Sequence, residues 1–285
     1  MKKRSKLLAA AIAIIGFSTA ASVTGTVAWF TASNLVSVSG MSIQAEAEQG
    51  IVISNEAKSD WKTSAIASHS GADKTFVPTS TANATNWYHA YSDDVNNGQS
   101  GVVRTEITVE DNITTPSAMG TADDGVFGFN DNGTWKRVYL LNSFFIQASG
   151  TTAVNGQDIY LQALEAKVSD AAPAQELSKA LRVLVKNGST VTIFSPVTGA
   201  TATYSVNGTT SVTPILASAT VAPATDKIVA SNVDLPAYTA VGTGAVQLDV
   251  YIFFEGEDAN CKSANIVASL ERIAISFKFG NKAHA

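Results

Sequence analysis

The chain is poor in the residues from which most catalytic and metal sites are built. It has one cysteine, Cys261, so it can form neither an internal disulfide nor a multi-cysteine zinc site. Its three histidines, His69, His89 and His284, are far apart in sequence, and no His-Glu-x-x-His pair occurs to seat zinc on one helix face. Neither a Gly-x-Ser-x-Gly nucleophile turn nor a phosphate-binding glycine loop is found. A catalytic or cofactor-binding residue set is therefore not expected, and the chain does not read as an enzyme.

Charge is scarce too. Charged residues make up 15% of the 285 positions, against about a quarter in typical domains. The net charge is −5, and the only cationic cluster is Lys2, Lys3, Arg4 and Lys6. Losing those four cations with a leader would take the mature chain to −9. Such an acidic surface argues against nucleic acid and against anionic lipid as partners. Helical periodicity is also missing beyond the N-terminal segment. Only residues 174–180, preceded by Asp170 and Pro173, and residues 263–270 suggest a turn or two of helix.

What fills these gaps is Thr, Ser, Ala, Val, Asn and Gly, a composition suited to strands and tight turns. Strict alternation marks several half-buried strands. Val103, Thr105, Ile107 and Val109 share one face of residues 102–110. Val246, Leu248, Val250, Ile252 and Phe254 share one face of residues 246–255. Ile273, Ile275, Phe277 and Phe279 do so in residues 273–279. Residues 138–146 are apolar on both faces, Leu140, Phe144 and Ile146 against Tyr139, Leu141 and Phe145, which predicts a central strand covered on both sides.

Asn132-Gly133, Asn187-Gly188 and Asn207-Gly208 each divide two β-prone runs, as hairpin turns do. A two-residue loop at Asn187-Gly188 would set Val185 opposite Thr190, Leu184 opposite Val191 and Val183 opposite Thr192. Residues 54–97 and 199–240 are polar and turn-rich and read as long loops or inserted hairpins. No linker and no fixed-period repeat is visible. These features predict an all-β fold, a jelly-roll-like antiparallel β-sandwich with hairpin and loop insertions, as a single domain over residues 29–285.

Residues 1–28 have the layout of a secretory signal peptide: the basic stretch Lys2 to Lys6, then eleven apolar residues from Leu7 to Phe17, then small residues. The apolar run is too short to span a bilayer, so contact with a membrane is expected only in transit. Two cleavage points fit, one after Ala20 and one after Ala28, where Thr26-Val27-Ala28 would leave Trp29 as the first mature residue. No cysteine follows the apolar run, which excludes a lipoprotein leader, and no sortase-type motif occurs.

The stretch Gly25-Thr26-Val27-Ala28-Trp29-Phe30-Thr31 resembles the late signal-peptide region of the TasA/camelysin family. Val250 to Cys261 (VYIFFEGEDANC) is similar to a Glu-Gly-x-Asp…Cys stretch of proteins with that signal type. The resemblance implies trimming by a SipW-like signal peptidase, a jelly-roll fold, secretion to the cell surface or biofilm matrix, and assembly into fibres as a homo-oligomer or filament.

The freed terminus needs a place to be buried. Val36 and Val38 alternate in one phase; Met41, Ile43, Ala45 and Ala47 alternate in the other, with the change at Ser39-Gly40, where a bulge or bend fits. Residues 29–47 are thus a candidate donor strand, with Trp29, Phe30, Leu35, Val36 and Val38 as the inter-subunit contacts. The alternative is an ordinary first strand for residues 35–47.

Other candidates are weaker. Asp93-Asp94, Asp123-Asp124 with Asp131, and Glu255 to Asp258 could offer oxygens to calcium, although none has EF-hand spacing. Trp61, Trp87, Tyr88 and Tyr91 would suit a glycan-binding adhesin if exposed, or would anchor loops if buried. A camelysin-like metallopeptidase would require His69 and His89 to converge. Cys261 reads as a structural thiol, and His284 as a residue of a frayed terminus.

Overall fold

The computed structural model describes residues 36–38, 41–55, 58–67, 74–92, 102–106, 126–131, 134–168, 177–197, 204–206, 210–212, 214–216, 227–256, 258, 260–261 and 273–285. In chain order its strands are β1 (Val36–Val38), β2 (Met41–Ala47), β3 (Ile51–Ser54), β4 (Ser64–Ile66), β5 (Lys74–Phe76), β6 (Thr79–Ser80), β7 (Tyr88–Ser92) and β8 (Val102–Glu106). The long strands β9 (Val126–Asp131), β10 (Thr134–Ala148), β11 (Val154–Val168), β12 (Leu181–Asn187) and β13 (Thr190–Ser195) follow. The last are β14 (Tyr204–Val206), β15 (Thr210–Val212), β16 (Ile215–Leu216), β17 (Ile228–Leu235), β18 (Val246–Phe254) and β19 (Ile273–Ala283). Among the described residues helix is confined to one turn at Leu177 and Ser178, and no helix is long and apolar enough to cross a membrane.

Two sheets form a sandwich. The larger runs β1-β5-β10-β18-β12-β13-β16, with β3 and β9 also on β10; the smaller runs β17-β11-β19-β2-β4. The alternation read from the sequence decides which side chains meet between them. Leu140, Phe144 and Ile146 of β10 and Leu248, Val250, Ile252 and Phe254 of β18 face Ile43, Ala45 and Ala47 of β2 and Ile275, Phe277 and Phe279 of β19 in one core. Phe144 and Phe277 meet edge to face, centroids 6.0 Å apart. Each such fully buried Phe or Ile contributes ~1.5–3 kcal/mol of transfer free energy.

Strand β10 is covered on both faces, as its doubly apolar sequence requires. Its other side, with Tyr251 and Phe253 of β18 and Leu184 of β12, packs under Ala84, Trp87 and Tyr88. These belong to a third layer, the small sheet β6-β7-β8. The two outer faces therefore differ. The large sheet's is apolar and roofed. The small sheet's carries Gln44, Glu46, Ser276 and Lys278, none of them buried.

Pairing departs from the all-antiparallel expectation. β2 runs parallel to β19 over Met41 to Ala47, and parallel contacts join β5 to β10 and β16 to β13. The chain changes sheets between β1 and β2, at the point where the hydrophobic phase reverses. At one corner the two sheets meet, because Ile53 and Lys62 form an antiparallel bridge with reciprocal N–H···O bonds. Gly280 in β19 is needed for close packing: a Cβ there would stand 2.5 Å from Glu48 Oε2 and 2.6 Å from Tyr160 Cζ.

Residues 54–97 and 199–240, read as long loops or inserted hairpins, carry β4 to β7 and β14 to β17, and β6-β7 and β14-β15 pair antiparallel as hairpins do. Two sequence expectations are corrected. The hairpin of β12 and β13 pairs Asn187 with Thr190, Val185 with Thr192 and Val183 with Phe194, two residues from the expected register. Its turn is Gly188-Ser189, with Gly188 at φ +57°. Asn187 is held in the strand because its side chain donates to Gln247 O at 2.8 Å. His284, expected to fray, is instead held: its N–H donates to Gly156 O at 2.8 Å, continuing the last strand.

Candidate functional site

The chain enters the large sheet through its outermost strand. β1 pairs antiparallel with β5 at Val36↔Phe76, Ser37↔Thr75 and Val38↔Lys74. β5 in turn meets β10 only at Phe76↔Arg137. Phe76 is fully buried and edge-on to Phe254, centroids 5.7 Å apart. Of the donor-strand candidates, Val36 and Val38 thus lie in an edge strand three residues long. Trp29, Phe30 and Leu35, and the cleavage residues Thr26, Val27 and Ala28, lie outside the described residues.

Glu255 and Asp258, after β18, form a buried knot and not a solvated turn. Arg182 and Asp258 are both fully buried and paired, Nη2 to Oδ2 at 2.5 Å. Arg182 Nη1 also donates to the carbonyls of Lys179 at 2.7 Å and Leu181 at 3.0 Å. Asp258 accepts from the Asn260 N–H at 2.9 Å and from its side-chain amide at 2.7 Å. Burial alone would raise the Asp258 carboxyl, but the Asn260 N–H and Arg182 outweigh it and hold it below its usual 3.8.

Glu255 is buried as well and accepts a short hydrogen bond from Ser80 Oγ, while the Gly256 N–H donates to Thr79 O at 3.1 Å. The knot thereby ties β6, and with it the third layer, to the end of β18. Cys261 is buried beside it; burial, then Glu255 and Asp258, push its thiol up, so it stays protonated and unreactive. Glu255 and Asp258 point inward to Ser80 and Arg182. Asp93, Asp94, Asp123 and Asp124 lie outside the described residues, and of Asp131 only the backbone is described.

The third layer settles the question about the aromatics. Trp87 and Tyr88 are each 3% exposed. Trp87 lies tilted against Tyr139 with centroids 4.5 Å apart and meets Phe253 edge-on at 5.0 Å. Two of the four aromatics are therefore anchors, not a sugar-stacking platform. Burial, and secondarily Asp249, raises the Tyr251 hydroxyl to about 12, so it is neutral at any physiological pH. Among the described residues, no group of three His, Cys, Asp or Glu side chains stands close enough to hold a metal ion. His69 lies outside the described residues.

The structure also gathers a serine, a histidine and an aspartate that sequence reasoning missed. His284 Nδ1 lies 2.7 Å from Asp158 Oδ1 and 3.4 Å from Ser231 Oγ. Ser231 Oγ donates to the same carboxylate oxygen at 2.9 Å. In a nucleophilic triad the serine proton goes to one ring nitrogen while the carboxylate holds the other. Here serine and carboxylate both face Nδ1, and the serine hydroxyl donates to the carboxylate and not to the ring, which is not the geometry of a triad. The work of the group is structural. Asp158 accepts the Asn232 N–H at 3.0 Å and so pins a bulge at Asn232, φ +52°. A bulge in β17, the edge of the small sheet, opposes regular strand addition there.

Comparison of the chain with protein-family models, curated proteins and solved structures finds no match in any of the three.

The Asp158 pin has a pH signature. Burial would raise the carboxyl, but the Asn232 N–H, His284 and Ser231 hold it below 3.8. A carboxyl lowered in the folded state stabilises it fully above about pH 4, and that contribution is lost as pH falls through the native value. Asp158→Asn is therefore expected to lower the urea midpoint at neutral pH, with the gap to wild type narrowing as pH falls through the native value of the carboxyl. A gap independent of pH would contradict the assignment.

Proposed function

We propose that the chain is a non-catalytic structural subunit, secreted through the residue 1–28 leader and assembled into fibres at the cell surface or in the biofilm matrix. A SipW-like signal peptidase cuts after Ala28 and frees Trp29, and residues 29–35, ahead of β1, join one subunit to the next by β pairing. The observation that carries this reading is the position of β1. The chain enters the fold at a sheet edge through three paired residues, directly after an apolar, strand-prone segment. An edge presents unpaired N–H and C=O groups, and a segment arriving there is placed to pair beyond its own molecule. A link made by one end of each copy to a different surface of the next does not close, and it propagates as a filament.

Two further features support the reading. The β17 edge carries a bulge that opposes regular strand addition, whereas no bulge interrupts the three paired residues of β1. The resemblance to the TasA/camelysin family rests on Gly25 to Thr31 and Val250 to Cys261, and the second stretch is the knot that fixes the third layer. The test is electron microscopy of mature protein with and without residues 29–35, which leaves β1 in place. Filaments from the intact chain and dispersed particles from the shortened one are expected. Normal filaments from the shortened chain would overturn the donor role.

A further inference from the structure

The large sheet is covered by two separate cores. On its inner face lies the main core, shared with the small sheet, to which Phe144, Ile252 and Phe277 belong. On its outer face Ala84, Trp87 and Tyr88 of the third layer pack against Leu184, Tyr251 and Phe253. These are opposite faces of one sheet. Parting the outer core therefore leaves untouched the core that holds the two large layers together.

The third layer is joined to the body along one line. Among the described residues β6-β7-β8 shares no ladder with either sheet, and one isolated bridge, Thr79 with Glu255, ties its backbone to the sandwich. The Gly256 N–H on Thr79 O and the contact of Ser80 Oγ with Glu255 fall on the same two residues of β6. Directly before them comes Pro78, and Phe76 is already fixed in the main core. β6 is thus pinned at the knot, next to the point where the chain leaves the large sheet.

Beyond β6 the layer carries its own bonds. Thr81 Oγ1 accepts the Ala84 N–H at 3.0 Å and donates to Asn86 O at 2.7 Å. Asn83 Oδ1 accepts the N–H groups of Thr85 and Asn86, both at 2.9 Å. These bonds close within residues 81–86 and do not need the sheet beneath. Ala84 sits at φ +55°, in left-handed backbone that disfavours a residue with a Cβ, so the loop is bent against its own preference. What it lays on the sheet is side chain: Trp87 on Tyr139, Tyr251 and Phe253, and, at an exposed margin, Thr85 Oγ1 within 3.4 Å of Lys186 Nζ.

We propose that the third layer is a lid: the 81–87 loop and β7-β8 lift off the large sheet together, pivoting on β6 at the Glu255 knot, with Trp87 as the latch, while the sandwich stays folded. Opening parts one core and spares the other, which places it below global unfolding in free energy. The open form bares the aromatic face of β10 and β18, and the closed form keeps that apolar face away from neighbouring molecules. The lid works within one subunit and is independent of how subunits join.

The test is thiol labelling of the mature chain in urea concentrations below its unfolding transition. Leu184→Cys, and separately Ile193→Cys, place a thiol under the lid on paired residues of β12 and β13. The native Cys261, buried in the main core, is the internal control. Both new thiols should react at a common rate, at least ~10-fold faster than Cys261. Adding Trp87→Phe should speed both by a further ~10-fold and leave Cys261 unchanged. Labelling of all three thiols at one rate, with or without Trp87→Phe, would make the third layer part of a single cooperative unit and overturn the lid. Rates at positions 184 and 193 that differ more than ~10-fold would mean piecemeal fluctuation and overturn it too.

Discussion

Replacing Asp258 with alanine is expected to cost ~3–5 kcal/mol of folding stability, because it leaves the Arg182 guanidinium fully buried without its counter-charge. Two carbonyls would still hold Arg182 Nη1, but carbonyl dipoles do not replace a carboxylate in a site closed to water. The loss should be largest at neutral pH. The lowered Asp258 carboxyl supports the fold fully above about pH 4 and ceases to do so as pH falls through its native value, so wild type and variant approach each other in acid. The double variant Arg182→Met/Asp258→Ala should recover part of the loss by removing the stranded cation. Urea unfolding of the mature protein measures all three. A single-variant loss under about 1 kcal/mol would mean that water reaches the pair, as it reaches ordinary surface ion pairs.

Trp87→Ala should cost a similar ~3–5 kcal/mol, by emptying the space between the third layer and the large sheet. The indole is in ring contact with Tyr139, Tyr251 and Phe253. With it gone, β6 and β7 would be held mainly by the Ser80–Glu255 contact and the bond from Gly256 to Thr79. The apolar outer face would open, and binding of a hydrophobic dye should rise with the fall in stability. A surface platform for sugars predicts the reverse: a change within about 0.5 kcal/mol and loss of glycan binding. The 3% exposure of Trp87 favours the first outcome.

Much of the sandwich was legible in the sequence. β10, β18 and β19 betray their faces through period-two alternation, because one hydrophobic face per strand suffices to place it against a core. The two-sided apolarity of residues 138–146 likewise announced a strand with layers above and below. The buried thiol of Cys261 and the anchoring role of Trp87 and Tyr88 were readable too, since large apolar groups in a polar stretch need a place to pack.

What escaped depends on long-range partners. β17 lost its alternation at the Asn232 bulge, whose cause is a carboxylate 74 residues away. Arg182 and Asp258 are 76 residues apart, and nothing local tells a buried carboxylate from a solvated one. His284 read as frayed because the residues that hold it, Gly156 and Asp158, are in the middle of the chain. The parallel union of β2 with β19 joins opposite ends of the protein. The hairpin at Asn187 was found, but its register was misplaced because Asn187 bonds to β18 and leaves the turn to Gly188-Ser189.

N-terminal sequencing of the protein recovered from outside the cells, followed by electron microscopy of the same sample, tests the central claim most directly. The account predicts a chain that begins at Trp29 and forms filaments. A chain kept inside the cell with its leader intact, or a mature chain that remains a dispersed monomer at every concentration, would contradict it.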